Sequence, residues 1–262
     1  MKPYYVHIAN WAENTAKGRP VVEIGSGDAD FLVTAVKRMD LWGCDILEHA
    51  GSDSERGPKV QKKLANAGVE EDRYRWYKES APLPFEDNSA AVVLSIQTLE
   101  HVYPIEHLFA EIYRILDHDG IALHYFPTAE ILIEPHCQIP LAHKFDKGRK
   151  DFIRRASQLG LGKYPQYKRE RSYSLEKFVE EFDHYLQQFC HFRTLSDYLE
   201  LSADLGLEAK FYPTHKLALS SLAPFMARFT SVYLTQRKSK TIGAMMPLLS
   251  PEDQNLMPEP GF

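Results

Sequence analysis

A glycine-rich turn near the start of the sequence carries the residues best suited to hold a ligand. Glu23-Ile24-Gly25-Ser26-Gly27-Asp28-Ala29 follows an apolar β-branched run and precedes apolar residues at helical spacing. Glycines between a strand and a helix permit a tight turn and a close approach of the backbone to a ligand. The ligand then lies at the amino end of the helix. An ordinary strand–helix loop without a ligand is the alternative interpretation.

An acidic residue follows at the end of the next predicted strand. Asp45 lies 18 residues after Gly27, where a carboxylate suits hydrogen bonds from both hydroxyls of a ribose. The dinucleotide fingerprint requires a third glycine where this chain has Asp30, which counts against a nicotinamide cofactor. Glu23, two residues before Gly25, instead favours S-adenosylmethionine (SAM), whose amino group needs an acidic or carbonyl neighbour.

These residues require a sheet whose strands alternate with helices. The patterns predict helices over residues 4–17, 31–39, 53–67, 104–116 and 195–205, and strands over residues 21–24, 41–47, 74–77, 90–96, 121–126, 207–212 and 231–236. Alternation of this kind predicts right-handed crossovers and helices on both faces of the sheet. We therefore predict an α/β fold: a Rossmann-like, doubly wound, mainly parallel seven-stranded sheet with a helical lid insertion.

The order of these patterns predicts one domain over residues 1–262. Its ligand-binding core comprises residues 18–127 and 194–237. Residues 130–193 are rich in His, Tyr, Arg and Lys and have little strand character, so they are predicted to form a lid over the carboxyl edge of the sheet. Residues 238–262 contain four prolines and are predicted to form a loosely packed tail.

The composition is that of a soluble globular protein. Hydrophobic residues make up 44%, charged residues 26%, and the net charge is −5. No apolar run reaches the roughly 20 residues of a membrane helix, and the first residues lack the plan of a signal peptide. Three cysteines without CxxC spacing suggest neither a disulfide framework nor a zinc site. A cytoplasmic location follows as the expectation.

Four stretches in order resemble a known family. VVEIGSGDADFL, GCDIL, APLPFEDNSAAVVLSIQTLEHV and EIYRILDHDGIALHYFP look like the class I SAM-dependent methyltransferases, in particular the "type 11"-like group that acts on small molecules. The resemblance runs over residues 21–127, and residues 195–236 fit the family's last helix and two strands. It implies that SAM is the cofactor. This chain departs from the family at Ala29, where a third glycine is frequent, and at Ala90-Ala91, where Phe-Asp is usual.

The resemblance also implies which residues contact SAM. Those expected around its methionine part are Glu23, Gly25, Ser26 and Gly27. Those expected around its ribose and adenine are Asp45, Ile46, Glu79 and Ser80. Those expected below its sulfonium are Ser95, Ile96 and Gln97.

Three histidines are the candidate catalytic residues. His101 follows the fourth strand, and some family members bind a metal there through Glu-x-x-Glu-His. This chain has Gln97 at the first position, a poorer ligand for a hard cation, so no metal ligand is predicted. His136 and His143 lie in IEPHCQIPLAHKF, which resembles methyltransferases of bacterial polysaccharide clusters. Histidine suits the deprotonation of an acceptor hydroxyl, whereas loop and lid packing are the alternative roles.

A basic segment follows these histidines. Between Lys144 and Arg171, ten Lys and Arg residues oppose three acidic residues, which gives +7 and leaves −12 for the rest of the chain. Such a run suits an anionic acceptor, with Tyr164, Tyr167 and Tyr173 stacking on a sugar or base. A solvated helical face is the alternative.

We therefore predict an enzyme that moves a methyl group from SAM to an oxygen or nitrogen of a small-molecule or glycan-type acceptor. An RNA methyltransferase that uses the basic lid is one alternative, disfavoured by the acidic net charge. A non-catalytic partner subunit with a SAM-binding fold is another, disfavoured by the intact glycine turn. The sequence leaves open the acceptor, the participation of a metal and a homodimeric state.

Overall fold

The computed structural model describes residues 3–46, 56–213 and 232–238. Its helices are α1 (Pro3–Ala16), α2 (Asp30–Ala35), α3 (Arg56–Ala67), α4 (Ile105–Ile115), α5 (Arg149–Gln158), α6 (Tyr164–Arg171), α7 (Leu175–Gln188) and α8 (Leu195–Asp204). Its strands are β1 (Val21–Ile24), β2 (Leu41–Ile46), β3 (Tyr74–Tyr77), β4 (Ala90–Ile96), β5 (Leu116–Phe126), β6 (Leu207–Pro213) and β7 (Val232–Lys238).

The strands form one seven-stranded sheet in the order β3-β2-β1-β4-β5-β7-β6. The pairs from β3 to β5 are parallel, whereas β7 pairs antiparallel with both β5 and β6. The strand order reverses between β1 and β4, so a crevice opens beyond their carboxyl ends, where α/β sheets bind ligands. The predicted Rossmann-like, mainly parallel seven-stranded sheet is confirmed.

Both faces of the sheet are buried because its central strands are apolar at nearly every position. Val21, Val92 and Leu94 pack in one cluster with α1 and α2. The alternating residues, including Val22 and Val93, pack in a second cluster with α4 and α8. A parallel strand covered on both faces has this continuous apolar pattern, which is why β1 and β4 were predictable.

The segment between β5 and α8 packs around a core of its own. Apolar side chains of α5 and α7 meet residues 137–142 there, including Ile153, Phe178, Phe182 and Leu186. Ala129 N donates to Arg193 O at 2.8 Å, so the two ends of the segment lie side by side. We call residues 130–193 the lid.

Two element boundaries differ from the prediction by more than two residues. Helix α2 ends at Ala35, not at residue 39, because the chain must turn before β2 begins at Leu41. Strand β5 begins at Leu116, five residues earlier than predicted, and its pairing with β4 is irregular between Ala90 and Val92. A Cβ at Gly120 would lie 3.0 Å from Ala90 O, so the glycine belongs inside this bulged strand and does not precede it.

Parts of four predictions lie outside the described residues. They are the start of the helix predicted over 53–67, the strand residues predicted at 47 and 231, and the tail from 239 to 262. No helix within the described ranges is both long enough and apolar enough to cross a membrane.

Candidate functional site

The glycine turn joins β1 to α2 in a conformation that other residues rarely adopt. Gly25 has φ +71° and Gly27 has φ +53°. Gly25 N and Ser26 N both donate to Cys44 O, at 2.9 and 3.1 Å, which fixes the turn against β2. A Cβ on Gly25 would overlap the side chain of Thr98. The turn therefore needs glycine at this position both for its backbone angle and for its close neighbour.

Asp45 is a buried carboxylate that already holds the turn in place. Its Oδ2 accepts hydrogen bonds from Gly27 N at 2.6 Å and from Arg56 Nη2 at 2.7 Å, and its Oδ1 accepts from Ile46 N at 2.7 Å. Burial raises the pKa of Asp45, although Arg56 and the two backbone N–H groups oppose that shift. An ionised carboxylate accepts about four hydrogen bonds, so these donors leave little capacity for a further hydroxyl.

Glu23 precedes the turn and is almost fully buried. It is 3% exposed, and its Oε2 has no hydrogen-bond partner among the described residues. Burial raises the pKa of Glu23 to about 8, and the neighbouring Asp45 and Asp30 add to the shift. An unpaired buried carboxylate beside a glycine turn suits a ligand that brings a cationic group.

A cavity of about 520 Å³ opens beyond the carboxyl ends of β1, β2 and β4. We call its part lined by Gly25, Gly27, Asp45 and Ile46 the turn end. We call its part lined by His101, Tyr103, Tyr185 and Phe189 the lid end. The volume lies in the range of small-molecule sites in proteins, and one cavity therefore connects the turn to the lid.

Eight of the residues predicted for the site line this cavity. They are Gly25, Gly27, Asp45, Ile46, Glu79, Ser80, Gln97 and His101. Besides the two glycines, two of these residues have left-handed backbones, Ser80 at φ +61° and Gln97 at φ +55°. Non-glycine residues in this region are uncommon and cluster at functional sites.

The other predicted residues lie behind the cavity wall. Glu23 is buried, and Ser26 Oγ donates to Glu23 O at 3.1 Å. Ile96 packs against the cluster of α1 and α2. His143 Nε2 contacts Ala129 O at 3.2 Å, and burial lowers the pKa of this histidine.

Ser95 differs most clearly from its predicted role below the sulfonium. Its hydroxyl contacts His124 Nδ1 at 2.7 Å in the interior, and His124 Nε2 contacts Gln236 Oε1 at 3.0 Å. Gln236 Nε2 then donates to Ser202 Oγ at 2.8 Å. Burial lowers the pKa of His124 to about 4, so the ring is neutral and the network joins β4, β5, β7 and α8. The Ser95 side chain therefore serves the core.

Several lining residues carried no sequence signal. They include Arg56, Tyr77, Thr98, His107, Glu111, Tyr185 and Phe189. Glu111 Oε2 accepts from Leu83 N at 2.7 Å and from Arg114 Nη2 at 2.6 Å. Arg114 also donates to Phe85 O and Leu83 O, at 2.7 and 2.9 Å. These hydrogen bonds hold the loop before β4 against α4. The sequence indicated them only through the i, i+3 spacing of Glu111 and Arg114.

His101 and His136 meet at the junction of the lid and the sheet. Their ring centroids are 5.2 Å apart, and both rings contact Tyr185. His101 Nδ1 contacts Phe189 O at 2.6 Å, and His136 Nδ1 contacts a carboxylate oxygen of Glu134. Burial raises the pKa of Glu134, but hydrogen bonds from His136 and Cys137 outweigh burial and lower it. Of these two histidines, His101 faces the cavity.

Three residues of the basic segment pair with acidic residues of α7. Lys150 contacts Glu180, Arg154 binds Glu176 at 2.8 Å, and Arg149 lies 3.9 Å from Asp183. The basic run by itself did not reveal these partners. Tyr164, Tyr167 and Tyr173 pack against the core of the lid. These six side chains therefore have contacts within the lid, and the anionic-acceptor and RNA hypotheses stay predictions.

Residues 22–124 match a family model described as a methyltransferase domain. A search of curated proteins found no match. Similar folds occur in geranyl diphosphate methyltransferase solved with SAM, at 16% identity, TM-score 0.51, and coverage of 88% of this chain and 84% of that chain. The geranyl diphosphate C-methyltransferase of Streptomyces coelicolor A3(2), solved with Mg²⁺, geranyl diphosphate and S-adenosyl-L-homocysteine, has 14% identity, TM-score 0.52, and coverage of 89% and 77%.

A SAM-dependent methyltransferase from Mesorhizobium loti has 14% identity, TM-score 0.50, and coverage of 84% of this chain and 91% of that chain. At these identities the likeness to solved structures concerns the fold. The domain match over residues 22–124 agrees with that fold, so the predicted resemblance to class I SAM-dependent methyltransferases is confirmed.

Proposed function

We propose that this class I SAM-dependent methyltransferase binds SAM at the turn end of its cavity and transfers the methyl group to a small molecule at the lid end. The observation that supports the proposal is the single cavity that reaches from Gly25 and Asp45 to His101 and Tyr185. Donor and acceptor can thus be held in one cavity, where positioning supplies much of the catalysis.

The residues at the turn end fit SAM. Glu23 lies behind the lining of this end, and its unpaired carboxylate oxygen would attract the ammonium group of the methionine part. The missing side chain at Gly25 leaves room for the ligand beside Thr98. Asp45 would accept the ribose hydroxyls, in part by giving up its contact with Arg56. Ile46, Glu79 and Ser80 would border the adenine, and Gln97 would lie below the sulfonium.

SAM supplies an electrophilic methyl group on a positively charged sulfur. In the transfer, a lone pair of the acceptor oxygen or nitrogen forms the new bond to the methyl carbon. The carbon–sulfur bond breaks, its electron pair stays on sulfur, and S-adenosylhomocysteine is released. The acceptor's proton would leave at the lid end, where His101 faces the cavity and the contacting pair His136 and Glu134 lies behind it. His143 lies outside this group.

The lid end favours an acceptor with an apolar or ring-shaped face. Val102, Tyr103, Tyr185 and Phe189 present apolar and aromatic surface there, beside His101 and His107. The single Lys or Arg among the described lining residues is Arg56, at the turn end. We therefore propose an uncharged acceptor or uncharged portion of one, such as a sugar ring with a free hydroxyl, stacked on these aromatic rings.

The first test is a calorimetric titration of the purified chain with S-adenosylhomocysteine, beside one with NAD. Micromolar binding of S-adenosylhomocysteine and none of NAD is the expected result. A screen of hydroxylated small molecules with methyl-labelled SAM then identifies the acceptor. Absence of binding to S-adenosylhomocysteine, with and without candidate acceptors, would contradict the proposal and favour a non-catalytic partner subunit.

A further inference from the structure

Two histidines and a cysteine from distant parts of the sequence meet beside the lid end. His101 ends a 3₁₀ turn after β4, His136 lies where the chain enters the lid, and Cys190 follows α7. One possible ligand atom from each residue lies within 4.8 Å of those of the other two. Cys190 Sγ is 4.0 Å from His101 Nδ1 and 3.9 Å from His136 Nδ1. The three side chains therefore already surround one point.

The separations are close to those that a bound ion requires. Zinc binds thiolate sulfur at about 2.3 Å and imidazole nitrogen at about 2.0 Å, so ligand atoms of a tetrahedral site lie about 3.6 Å apart. The three side chains would have to close by about an ångström at most, which side-chain rotation supplies.

Both imidazole rings are held by oxygen acceptors. His101 Nδ1 contacts Phe189 O at 2.6 Å, and His136 Nδ1 contacts the carboxylate of Glu134. Glu134 is itself fixed, because it accepts from His136 N at 2.9 Å and from Cys137 N at 2.6 Å. The same two Nδ1 atoms face Cys190, so an ion bound there would replace the ring protons that Phe189 O and Glu134 now accept.

A buried carboxylate next to these three side chains has no hydrogen-bond partner in the described part of the chain. Glu100 is 0% exposed, and neither of its carboxylate oxygens has a hydrogen-bond partner among the described residues. Its Oε1 lies 3.9 Å from His101 Nε2. A buried carboxylate without hydrogen bonds is costly unless a proton or cation accompanies it. The orphaned carboxylate thus points to a cation beside the histidines, independently of the cysteine.

We infer that His101, His136 and Cys190 bind a zinc-type divalent ion, which joins the lid to the sheet beside the lid end of the cavity. Thiolate and imidazole ligands select zinc or a related transition metal over Mg²⁺ or Ca²⁺, which prefer oxygen. His101 belongs to the sheet side, whereas His136 and Cys190 belong to opposite ends of the lid. The ion would therefore fix the lid on its frame, and this inference does not depend on methyl transfer.

The test uses the full chain. Elemental analysis of protein purified without added metal is expected to find zinc, and removal by a chelator followed by Co²⁺ is expected to give a thiolate-to-cobalt charge-transfer band. In Cys190→Ser the band should disappear, and in His136→Ala metal affinity should fall. Glu134→Gln should weaken binding by about 10–100-fold, as losses of such orienting partners do.

Two matched variants serve as controls, with folding checked by circular dichroism. Cys137→Ala removes another buried lid cysteine and His143→Ala another lid histidine, and both should retain the cobalt band. Failure of the wild-type chain to retain zinc or to take up Co²⁺ would overturn the inference. A cobalt spectrum without the thiolate band, or a band that survives Cys190→Ser, would do the same. These readouts are separate from binding of S-adenosylhomocysteine, so either proposal can fail alone.

Discussion

The two ends of the cavity are built in different ways. At the turn end, four lining residues come from β2 and the turn between β1 and α2, and much of the surface is backbone held by hydrogen bonds to Cys44 O and Asp45. At the lid end, the wall comes from side chains of residues that lie up to 88 positions apart. The binding site for a ligand common to many proteins can therefore be recognised from a local sequence motif. The site for a ligand particular to one protein is assembled by tertiary contacts.

The largest effect is expected for Gly25→Val, which tests whether the backbone of the turn end carries the cofactor. The new side chain would meet Thr98 and would occupy a left-handed backbone at φ +71°. Calorimetry should show that affinity for S-adenosylhomocysteine falls by more than about 100-fold, or about 2.7 kcal/mol.

Gly18→Ala is the matched control for this variant. Gly18 also has a positive φ, +82°, but a Cβ there meets nothing within 4 Å. It should cost stability through backbone strain alone and leave cofactor affinity unchanged. Equal affinity of Gly25→Val and the wild type would place SAM elsewhere.

Glu23→Gln tests whether the buried Glu23 carboxylate destabilises the ligand-free protein and strengthens cofactor binding. Burial raises the pKa of Glu23 to about 8, above its unfolded value. Folding therefore favours the protonated carboxyl, and its stabilising contribution is present at low pH and lost as the pH rises toward 8. The variant should match the wild type near about pH 4 and exceed its unfolding free energy near about pH 9 by on the order of a few kcal/mol.

Urea unfolding at the two pH values measures this difference, with exposed Glu106→Gln as the control. Glu23→Gln should at the same time bind S-adenosylhomocysteine more weakly, since an amide cannot ionise when the ammonium group of the ligand arrives. A variant that is more stable and binds equally well would remove Glu23 from the cofactor site.

Asp45→Asn separates side-chain from backbone contributions to cofactor affinity, because it changes a side chain at the turn end and leaves the backbone intact. The carboxylate accepts from Gly27 N and Arg56, and we propose that it also holds the ribose. Loss of charge-assisted hydrogen bonds should lower affinity for S-adenosylhomocysteine by about 10–100-fold, or about 1.5–3 kcal/mol. Asp40→Asn, which contacts Trp42 and Arg73 just before β2, should leave the titration unchanged.

The smallest effect on cofactor affinity is expected at the lid end. Tyr185→Phe removes one hydroxyl from the wall beside His101 and keeps the ring. Affinity for S-adenosylhomocysteine should stay within about twofold, while the KM for the acceptor rises. The reason is that we expect the Tyr185 hydroxyl to contact the acceptor and not the cofactor. A loss as large as that of Asp45→Asn would show that the two ends are not separate.

The sequence predicted much more of the fold than of the site's interior. Strands such as β1 and β4 are apolar throughout, and the glycine turn lies between a strand and a helix, so local pattern was sufficient. The lengths of α2 and β5 were wrong because a required turn and a bulge at Gly120 override apolar periodicity. Ser95 lies at the predicted strand end, but its side chain bonds to His124 on the adjacent strand, which no local pattern reveals.

The lid shows the same limit. The basic run is visible in the sequence. The ion pairs that some of its residues form with α7 depend on helix packing, as in Arg154–Glu176. The cysteine spacing excluded a CxxC site, yet Cys190 reaches two histidines by folding. Residues that act together across the lid had no shared motif because their proximity is set by three-dimensional contacts.

The closed base of the lid has a consequence for how such an enzyme can diversify. Ala129 N donates to Arg193 O, and Glu130 Oε1 accepts from Leu195 N at 2.9 Å, so the chain leaves the sheet and returns to it at one point. A segment whose ends already touch can be lengthened, shortened or exchanged at little entropic cost to the remainder. If the lid end holds the acceptor, as proposed, selection can change what the enzyme modifies while its methyl donor stays the same.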